Sequence, residues 1–189
     1  MADYRIESDT IGEVKIPFAA LWGAQTERSR QNFPTGEKMP LEIIKALLQI
    51  KRAAAVANKE LKTLDGAKAD LIVKAIDSLL ALSDEDLRKD FPLVVYQTGS
   101  GTQTNMNVNE VVAHQAAKFN AAIEILPNDD VNKGQSSNDI FPTAMNITAA
   151  KAVSRLEDAT QHLIDELKVK QEKYWQTVKI GRTHLQDAT

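Results

Sequence analysis

The sequence predicts a mainly α-helical fold, in which an N-terminal helical domain with a short extended or hairpin arm leads into one very long helix. Three observations support this class. Apolar side chains recur at helical spacing over most of the 189 residues. Only 8 glycines and 6 prolines interrupt the chain, and 43% of the residues are hydrophobic, as in a globular protein. Finally, neither glycine nor proline occurs between Pro142 and Gly181.

The first predicted element is the arm. Residues 4–17 alternate apolar and polar side chains around Gly12, which is the pattern of a short β-hairpin. Residues 21–30 then predict a loop and a short helix, and the Pro-Thr-Gly sequence at residues 34–36 predicts a turn.

Four further helices are predicted before the long one. The first begins at Pro40, because proline suits a helix start, and the second follows the break at Gly66. A capping box of Ser83 and Asp86 predicts a short third helix that ends before Pro92. A buried run at residues 93–96 then leads into a polar loop. The fourth helix is predicted from its apolar positions, which are Val108, Val111, Val112, Ala116, Phe119 and Ile123.

The long helix dominates the prediction. Pro142 is placed in its first turn, where a missing backbone N–H costs nothing. At about 1.5 Å per residue the helix would span on the order of 50 Å, more than a domain of this size needs. We therefore expect its apolar face to pack against helices outside this chain. That face carries Ala149, Ala152, Val153, Leu156, Ala159, Leu163 and Leu167.

Composition excludes several classes of function. The chain has 23 basic and 26 acidic residues and a formal net charge of −3, without the basic stripe that binding to nucleic acid requires. No apolar run approaches the roughly 20 residues that span a bilayer. There is no cysteine, so disulfides, thiolate metal sites and a cysteine nucleophile are excluded. Residues 1–7 do not resemble a signal or transit peptide, and a cytoplasmic location is expected.

Two runs of hydroxyl and amide side chains each stand immediately before a predicted helix. Helix N-termini expose unpaired N–H groups and the positive end of the macrodipole, so they attract carboxylate or phosphate. Simple capping is the alternative, but each run has more donors than a cap uses. A phosphate loop is not expected, because the Gly-Ser-Gly-Thr sequence lacks the Gly-Lys-Ser/Thr ending. The first run is Ser100, Thr102, Gln103, Thr104 and Asn105, and the second is Gln135, Ser136, Ser137 and Asn138.

The third candidate lies after the long helix, at residues 181–187. His184 stands next to Thr183 in a predicted loop, where an imidazole titrating near neutrality could move protons. A merely solvent-exposed histidine is the alternative. His114 and His162 lie within predicted helices, where a packing or surface role is expected. No metal-ligand spacing joins His184 to other residues, and no metal site is predicted.

Three long motifs together resemble class II fumarate hydratase, a member of the fumarase/aspartase superfamily. They occur in the order of that family, and the likeness extends over nearly the whole chain. The opening region is similar as well, at residues 22–26 and 32–34. The motifs are residues 99–110 (GSGTQTNMNVNE), residues 135–139 with 141–145 (QSSND and FPTAM), and residues 181–189 (GRTHLQDAT).

The resemblance implies a fold, a reaction and an assembly. The family hydrates fumarate reversibly to L-malate, a step of the tricarboxylic acid cycle, and uses neither a metal nor an organic cofactor. Its members are homotetramers whose long helices form one central bundle, and each active site draws on three chains. Residues 1–136 would then form the N-terminal domain, and residues 137–189 would begin the central bundle. A small dicarboxylate is the implied substrate, and neither nucleic acid nor membrane is an implied partner.

The resemblance also implies site residues. His184 would hold and activate the water and act in acid–base catalysis. A second anion site is implied at Asn128 and Asp129, although Leu126 stands where the family usually has histidine; likewise Asn146 replaces the usual histidine after Thr-Ala-Met. The donors to the substrate carboxylates would be Ser100, Thr102, Ser136, Ser137, Asn138 and Thr183.

The chain stops at Thr189, before two parts that the family uses in catalysis. One is the Gly-Ser-Ser-x-Met-Pro-x-Lys-x-Asn loop, whose serine is the favoured base for the carbon-bound proton. The other is the carboxylate that would polarise His184. We therefore expect an N-terminal fragment that is inactive by itself. Two alternatives are kept: an aspartate ammonia-lyase of the same superfamily, and a non-catalytic helical module that binds dicarboxylates or only assembles.

Overall fold

The computed structural model describes residues 4–188, and the chain divides into two compact units, Met1–Thr148 and Ala149–Thr189. The first three residues, which belong to the stretch compared above with signal and transit peptides, lie outside the described residues, and so does Thr189 of the third motif. Within residues 4–188, no helix combines the length and the apolar composition needed to cross a membrane.

The N-terminal arm is a β-hairpin, as predicted. Strands β1 (Tyr4–Asp9) and β2 (Gly12–Pro17) pair antiparallel, from Tyr4 opposite Pro17 to Asp9 opposite Gly12. The Asp9 carboxylate closes the turn by accepting hydrogen bonds from the N–H groups of Ile11 and Gly12, at 2.9 and 3.2 Å. Gly12 has a φ of +133°, a conformation that a residue with a side chain rarely adopts.

Four helices follow in the predicted order. Asp65 caps the third of them by accepting from the N–H groups of Ala67 and Lys68, and Ser83 caps the fourth by accepting from Asp86. Both caps use short polar side chains that satisfy otherwise unpaired N–H groups. The helices are α1 (Ala24–Asn32), α2 (Leu41–Glu60), α3 (Gly66–Leu80) and α4 (Asp84–Arg88).

The run at residues 93–96 is only partly buried. Leu93 and Val94 belong to the buried side chains, but Tyr96 is 78% exposed, so the prediction is wrong at that residue. The backbone explains the difference. Residues 93–95 are held by hydrogen bonds with residues 37–39, and the chain leaves this pairing at Tyr96.

Helix α5 (Thr102–Phe119) ends earlier than predicted, and Ile123 lies beyond it. Asn120 adopts an extended conformation with a φ of −156°, and its side chain accepts from the N–H of Ala122. A π-helical turn (Pro127–Val131) follows in a stretch that the sequence indicated as loop.

The long helix is confirmed as α6 (Ser137–Tyr174), which has 38 residues. Its predicted start is wrong by about one turn. Pro142 is the sixth residue of α6 rather than a member of the first turn, since the chain already bonds helically to the carbonyl of Ser136. Pro142 has no N–H to donate to the carbonyl four residues earlier, that of Asn138.

The core of the first unit lies among α2, α3 and α5, which pack against one another. A fully buried aliphatic side chain contributes about 1.5–3 kcal/mol relative to exposure, so this core holds α5 firmly in place. The N-terminus of α5 is thereby fixed as well. Representative core residues are Ile44, Leu47, Leu48, Ala75, Ile76, Leu79, Val108, Val111 and Val112.

The second unit contains the rest of α6 and a second hairpin. Strands β3 (Gly181–Thr183) and β4 (Gln186–Ala188) pair antiparallel, with Thr183 opposite Gln186. Along α6 the side chains from Ala149 onward are exposed, including the predicted apolar face. The large exposed aliphatic residues there are Val153, Leu156, Leu163, Ile164, Leu167 and Val169.

Candidate active site

The first polar run lies in a loop built by two glycines. Gly99 and Gly101 have φ values of +72° and +75°, and these left-handed conformations turn the chain into the N-terminus of α5. The Ser100 and Thr102 hydroxyls are 3.1 Å apart and hydrogen-bonded to each other. Ser100 is exposed and Thr102 is half-buried, so both hydroxyls lie at the surface of the loop.

The second polar run begins α6. The Ser136 carbonyl accepts from the N–H groups of Asp139 and Ile140, and the Ser136 hydroxyl accepts from the N–H of Asn138 at 3.3 Å. Ser136 therefore acts as a cap, which is the alternative considered for this run. The Ser137 hydroxyl is directed elsewhere, and it lies 3.0 Å from the Thr102 hydroxyl.

This contact joins the two runs. The hydroxyls of Ser100, Thr102 and Ser137 form one hydrogen-bonded chain at the N-termini of α5 and α6, and we call it the hydroxyl cluster. Two helix N-termini that meet in this way place unpaired N–H groups and two positive dipole ends near the same hydroxyls. The arrangement suits a small anion with carboxylate groups.

Phe141 of α6 holds the two helix starts together. Its ring occupies the space beside Gly101, where an added Cβ would collide with it. The contact explains why glycine is required at this position for packing as well as for its positive φ. The hydroxyl cluster therefore depends on the absence of a side chain at Gly101.

Two members of the first polar run turn inward. Thr104 and Asn105 are buried, and neither can meet a ligand at the surface. The Thr104 hydroxyl accepts from the Gln97 amide at 2.8 Å, and the Asn105 amide donates to the Asn132 side chain at 3.1 Å. Thr104 and Asn105 were predicted as candidate donors because they belong to the first polar run, but their side chains are buried in the fold.

Thr183 and His184 belong to the second unit. His184 lies at the turn between β3 and β4 with a φ of +52°, and its side chain is exposed. The Thr183 hydroxyl lies 3.4 Å from Nδ1 of His184. The predicted loop is thus a tight hairpin turn, which presents the imidazole to its surroundings.

Asn128 and Asp129 lie in the π-helical turn, Pro127–Val131. The turn is anchored by the buried Asp130, whose carboxylate accepts from the N–H of Leu126 and forms an ion pair with Lys68, both at 2.8 Å. Asn128 and Asp129 border a cavity of about 560 Å³ that also reaches β1 and α5.

The walls of this cavity carry several carboxylates. Asp9 forms an ion pair with Arg28. The hydrogen bonds from Arg28 lower the pKa of the Asp9 carboxyl to about 2. Burial raises the pKa of Glu110, although its carboxylate caps α1 by accepting from the N–H groups of Gly23, Gln25 and Thr26. These carboxylates are already occupied by Arg28 or by backbone N–H groups, whereas the hydroxyl cluster presents neutral donors.

His114 faces the same cavity and performs a structural role, as expected. Its ring nitrogens contact the Glu110 carbonyl at 2.8 Å and the Glu7 carboxylate at 2.9 Å. Burial alone would lower the pKa of His114, but these partners outweigh it and raise that pKa. Burial would likewise raise the pKa of Glu7, but hydrogen bonds from His114 and Arg5 lower it. The resulting ion pair fastens β1 to α5.

One buried group was missed at the sequence level. Lys51 of α2 is fully buried beside the loop that leads to α6. The signal was available, because residue 51 falls at helical spacing from Ile44, Leu47 and Leu48 on the apolar face of α2. A lysine at a core position is unusual and indicates a specific partner. Among the residues that the structure describes, no group of three or more His, Cys, Asp or Glu side chains could hold a metal ion.

Comparison with known proteins gives concordant matches. The model of the lyase family matches residues 12–189. The chain is 56% identical over 191 residues to the class II fumarate hydratase of Staphylococcus haemolyticus, and 53% identical to that of Staphylococcus aureus. Each alignment covers 98% of this chain and 41% of the relative, so the chain spans about two fifths of the length of these curated relatives.

Solved structures agree. A class II fumarase from Schistosoma mansoni matches with a TM-score of 0.85 and 42% identity, over 98% of this chain and 40% of that one. A fumarate lyase:delta crystallin from Brucella melitensis matches with a TM-score of 0.86 and 37% identity, over 98% of this chain and 44% of that one. The mainly α fold predicted from the sequence is confirmed by these matches.

Proposed function

This chain belongs to the lyase family and is similar to the N-terminal part of class II fumarate hydratases, and from that premise we propose that the whole protein hydrates fumarate reversibly to L-malate. One observation carries the proposal within the structure. The hydroxyls of Ser100, Thr102 and Ser137 converge at the N-termini of two helices, where neutral donors and helix dipoles suit a small dicarboxylate.

The proposed chemistry follows from charge development. Removing a proton from the carbon beside a carboxylate of malate moves negative charge onto that carboxylate, and oriented donors stabilise the charge. Ser100, Thr102 and Ser137 would donate to one substrate carboxylate, and Ser136, Asn138 and Thr183 would supply further donors. The base for the carbon-bound proton is assigned to no residue of this chain.

His184 is proposed to exchange a proton with the substrate hydroxyl group that leaves as water. An imidazole can donate a proton to the departing hydroxyl and can take one from the attacking water in the reverse direction. The exposure of His184 at a tight turn supports this role, because the ring is free to meet a substrate bound elsewhere in an assembly. We propose that the site draws on several copies of the chain.

Assembly, domains and location complete the proposal. We propose a homotetramer in which residues 137–189 begin a central helical bundle and residues 1–136 form the N-terminal domain. A cytoplasmic location, no requirement for a metal or organic cofactor, and no nucleic acid partner are proposed with it. Asn128 and Asp129 are proposed as a second anion site, in which Leu126 stands where the family usually has histidine.

The reaction is tested by the ultraviolet absorbance of fumarate. We expect the purified whole protein to interconvert fumarate and malate, and the 189-residue chain alone to show no turnover. Fumarate formation by the isolated chain would contradict the second expectation. Ammonia release from aspartate by the whole protein, without hydration of fumarate, would instead favour an aspartate ammonia-lyase.

Assembly is tested by sedimentation. The exposed apolar face of α6 should drive the 189-residue chain into oligomers or aggregates, because contiguous exposed apolar surface is removed from water by association. Leu163→Lys should shift the distribution toward monomer. Gln161→Lys places the same charge on an exposed polar position about 200° around α6 from Leu163, off the apolar face, and should leave the distribution unchanged. A monomeric unsubstituted chain would contradict the expectation.

A further inference from the structure

Lys51 is one of the largest fully buried side chains among the described residues, with 0% relative exposure. Lysine is almost never fully buried unless its ammonium group is paired, because removing a charge from water is costly. Burial lowers the pKa of Lys51 to about 7, so close to neutral pH the group exists in both charged and neutral forms. The free-energy cost of burying the Lys51 ammonium group indicates that this group has a specific role.

The partners of Lys51 are neutral. Its Nζ donates to the side-chain oxygens of Asn132 and Gln135, at 3.2 and 3.1 Å. Among residues 4–186, whose side chains the structure describes, no carboxylate forms an ion pair with this nitrogen. When Lys51 is protonated, its positive charge is therefore shared with amide dipoles and is not cancelled by an acid.

The same amides lead to both polar helix starts. Asn132 also accepts from the Asn105 side chain at 3.1 Å, and Asn105 lies in the first turn of α5. The Asn132 amide donates to the Gln135 carbonyl at 3.1 Å, and Gln135 directly precedes Ser136. Lys51 thus connects α2 to the loop that ends at the hydroxyl cluster.

We propose that Lys51 is a positioning residue for the dicarboxylate site, which holds residues 132–135 in place and adds an uncancelled positive charge behind the start of α6. This inference rests on the proposed function. Its physical basis is that replacing a buried charge by an apolar side chain of similar volume is often neutral or stabilising for a fold. A purely structural lysine would therefore have little advantage over methionine at this position.

The first test is Lys51→Met in the whole protein. Methionine keeps the length of the side chain and removes the charge and both hydrogen bonds. We expect the KM for fumarate to rise about tenfold, which corresponds to the loss of about one charge-assisted hydrogen bond, while kcat falls less and Tm stays within a few degrees of the unsubstituted value. The control is Lys59→Met, because Lys59 lies on the same helix, exposed and paired with Asp70.

The second test keeps Lys51 and cancels its charge. Gln135→Glu preserves the size of the side chain and an acceptor for the ammonium group, but it removes the hydrogen bonds that the amide donates to the carbonyls of Val131 and Lys133. It provides a second variant in case Lys51→Met fails to fold. We again expect a higher KM for fumarate, because the positive charge is now neutralised. Gln49→Glu, at an exposed position of α2, the helix that carries Lys51, is the matched control. An unchanged KM for fumarate in folded Lys51→Met or Gln135→Glu protein overturns the proposal.

Fumarate binding is measured by calorimetry on the same proteins. An unsubstituted protein that binds fumarate without turnover contradicts the proposed reaction, and Lys51 is then judged by the dissociation constant, which should rise about tenfold in Lys51→Met protein. A lower Tm with an unchanged dissociation constant would assign Lys51 to structure alone. The failure of the reaction and the failure of the Lys51 proposal thus give different results.

Discussion

Gly101→Ala is expected to lower the free energy of unfolding of the 189-residue chain by about 2–5 kcal/mol. About 1–2 kcal/mol comes from forcing a residue with a Cβ into the left-handed conformation, since Gly101 has a φ of +75°. The rest comes from the collision of the new Cβ with the Phe141 ring, because overpacking a core costs about 1–3 kcal/mol. The substitution should also separate the Thr102 and Ser137 hydroxyls.

Gly99→Ala provides the matched control. Gly99 has nearly the same φ, +72°, but an added Cβ would meet nothing within 4 Å. Gly99→Ala should therefore lower the free energy of unfolding only by the cost of the left-handed conformation, about 1–2 kcal/mol. Urea denaturation followed by circular dichroism measures both variants. Equal losses would contradict the role assigned to Phe141.

His184→Asn should lower kcat of the whole protein by about 100- to 10,000-fold, the range over which general acid–base catalysis contributes. Asparagine is the appropriate substitution because it tolerates the left-handed conformation that His184 adopts, with a φ of +52°. The side chain is exposed, so the fold should be preserved. The rate of fumarate hydration, with KM determined separately, measures the effect.

His162→Asn is the control for that substitution. His162 is exposed on α6 and serves no role in the proposed chemistry, so kcat should stay close to that of the unsubstituted protein. A His184→Asn protein with unchanged kinetics would remove His184 from the catalytic assignment. Equal losses in both variants would indicate a shared structural cause.

Much of the fold follows from local patterns in the sequence. The hairpin arm, the caps at Ser83 and the length of α6 are all set by residues close together in the chain, and these predictions are confirmed. The errors occur where local signals compete with packing. The start of α6 was predicted too late, because a helix that begins at Ser137 tolerates Pro142. Tyr96 was predicted to be buried with residues 93–95, but its side chain is exposed.

The candidate site shows the same division. The sequence indicates two polar helix starts, but it does not say which hydroxyls meet. Thr102 and Ser137 are 35 residues apart, and they come together because the core holds α5 while Phe141 packs against Gly101. Thr104 and Asn105, which share the same run, turn inward because the helix directs successive side chains to different faces.

By itself, the sequence determined the helical class, the order of the elements and the family, because periodicity, capping and motifs are properties of neighbouring residues. Tertiary structure alone decided which groups act together. Lys51 reaches Asn132 and Gln135 across 81 and 84 residues of sequence, and the hydroxyl cluster joins two helices. Such contacts depend on how helices pack, and packing is a property of the whole core rather than of any local segment.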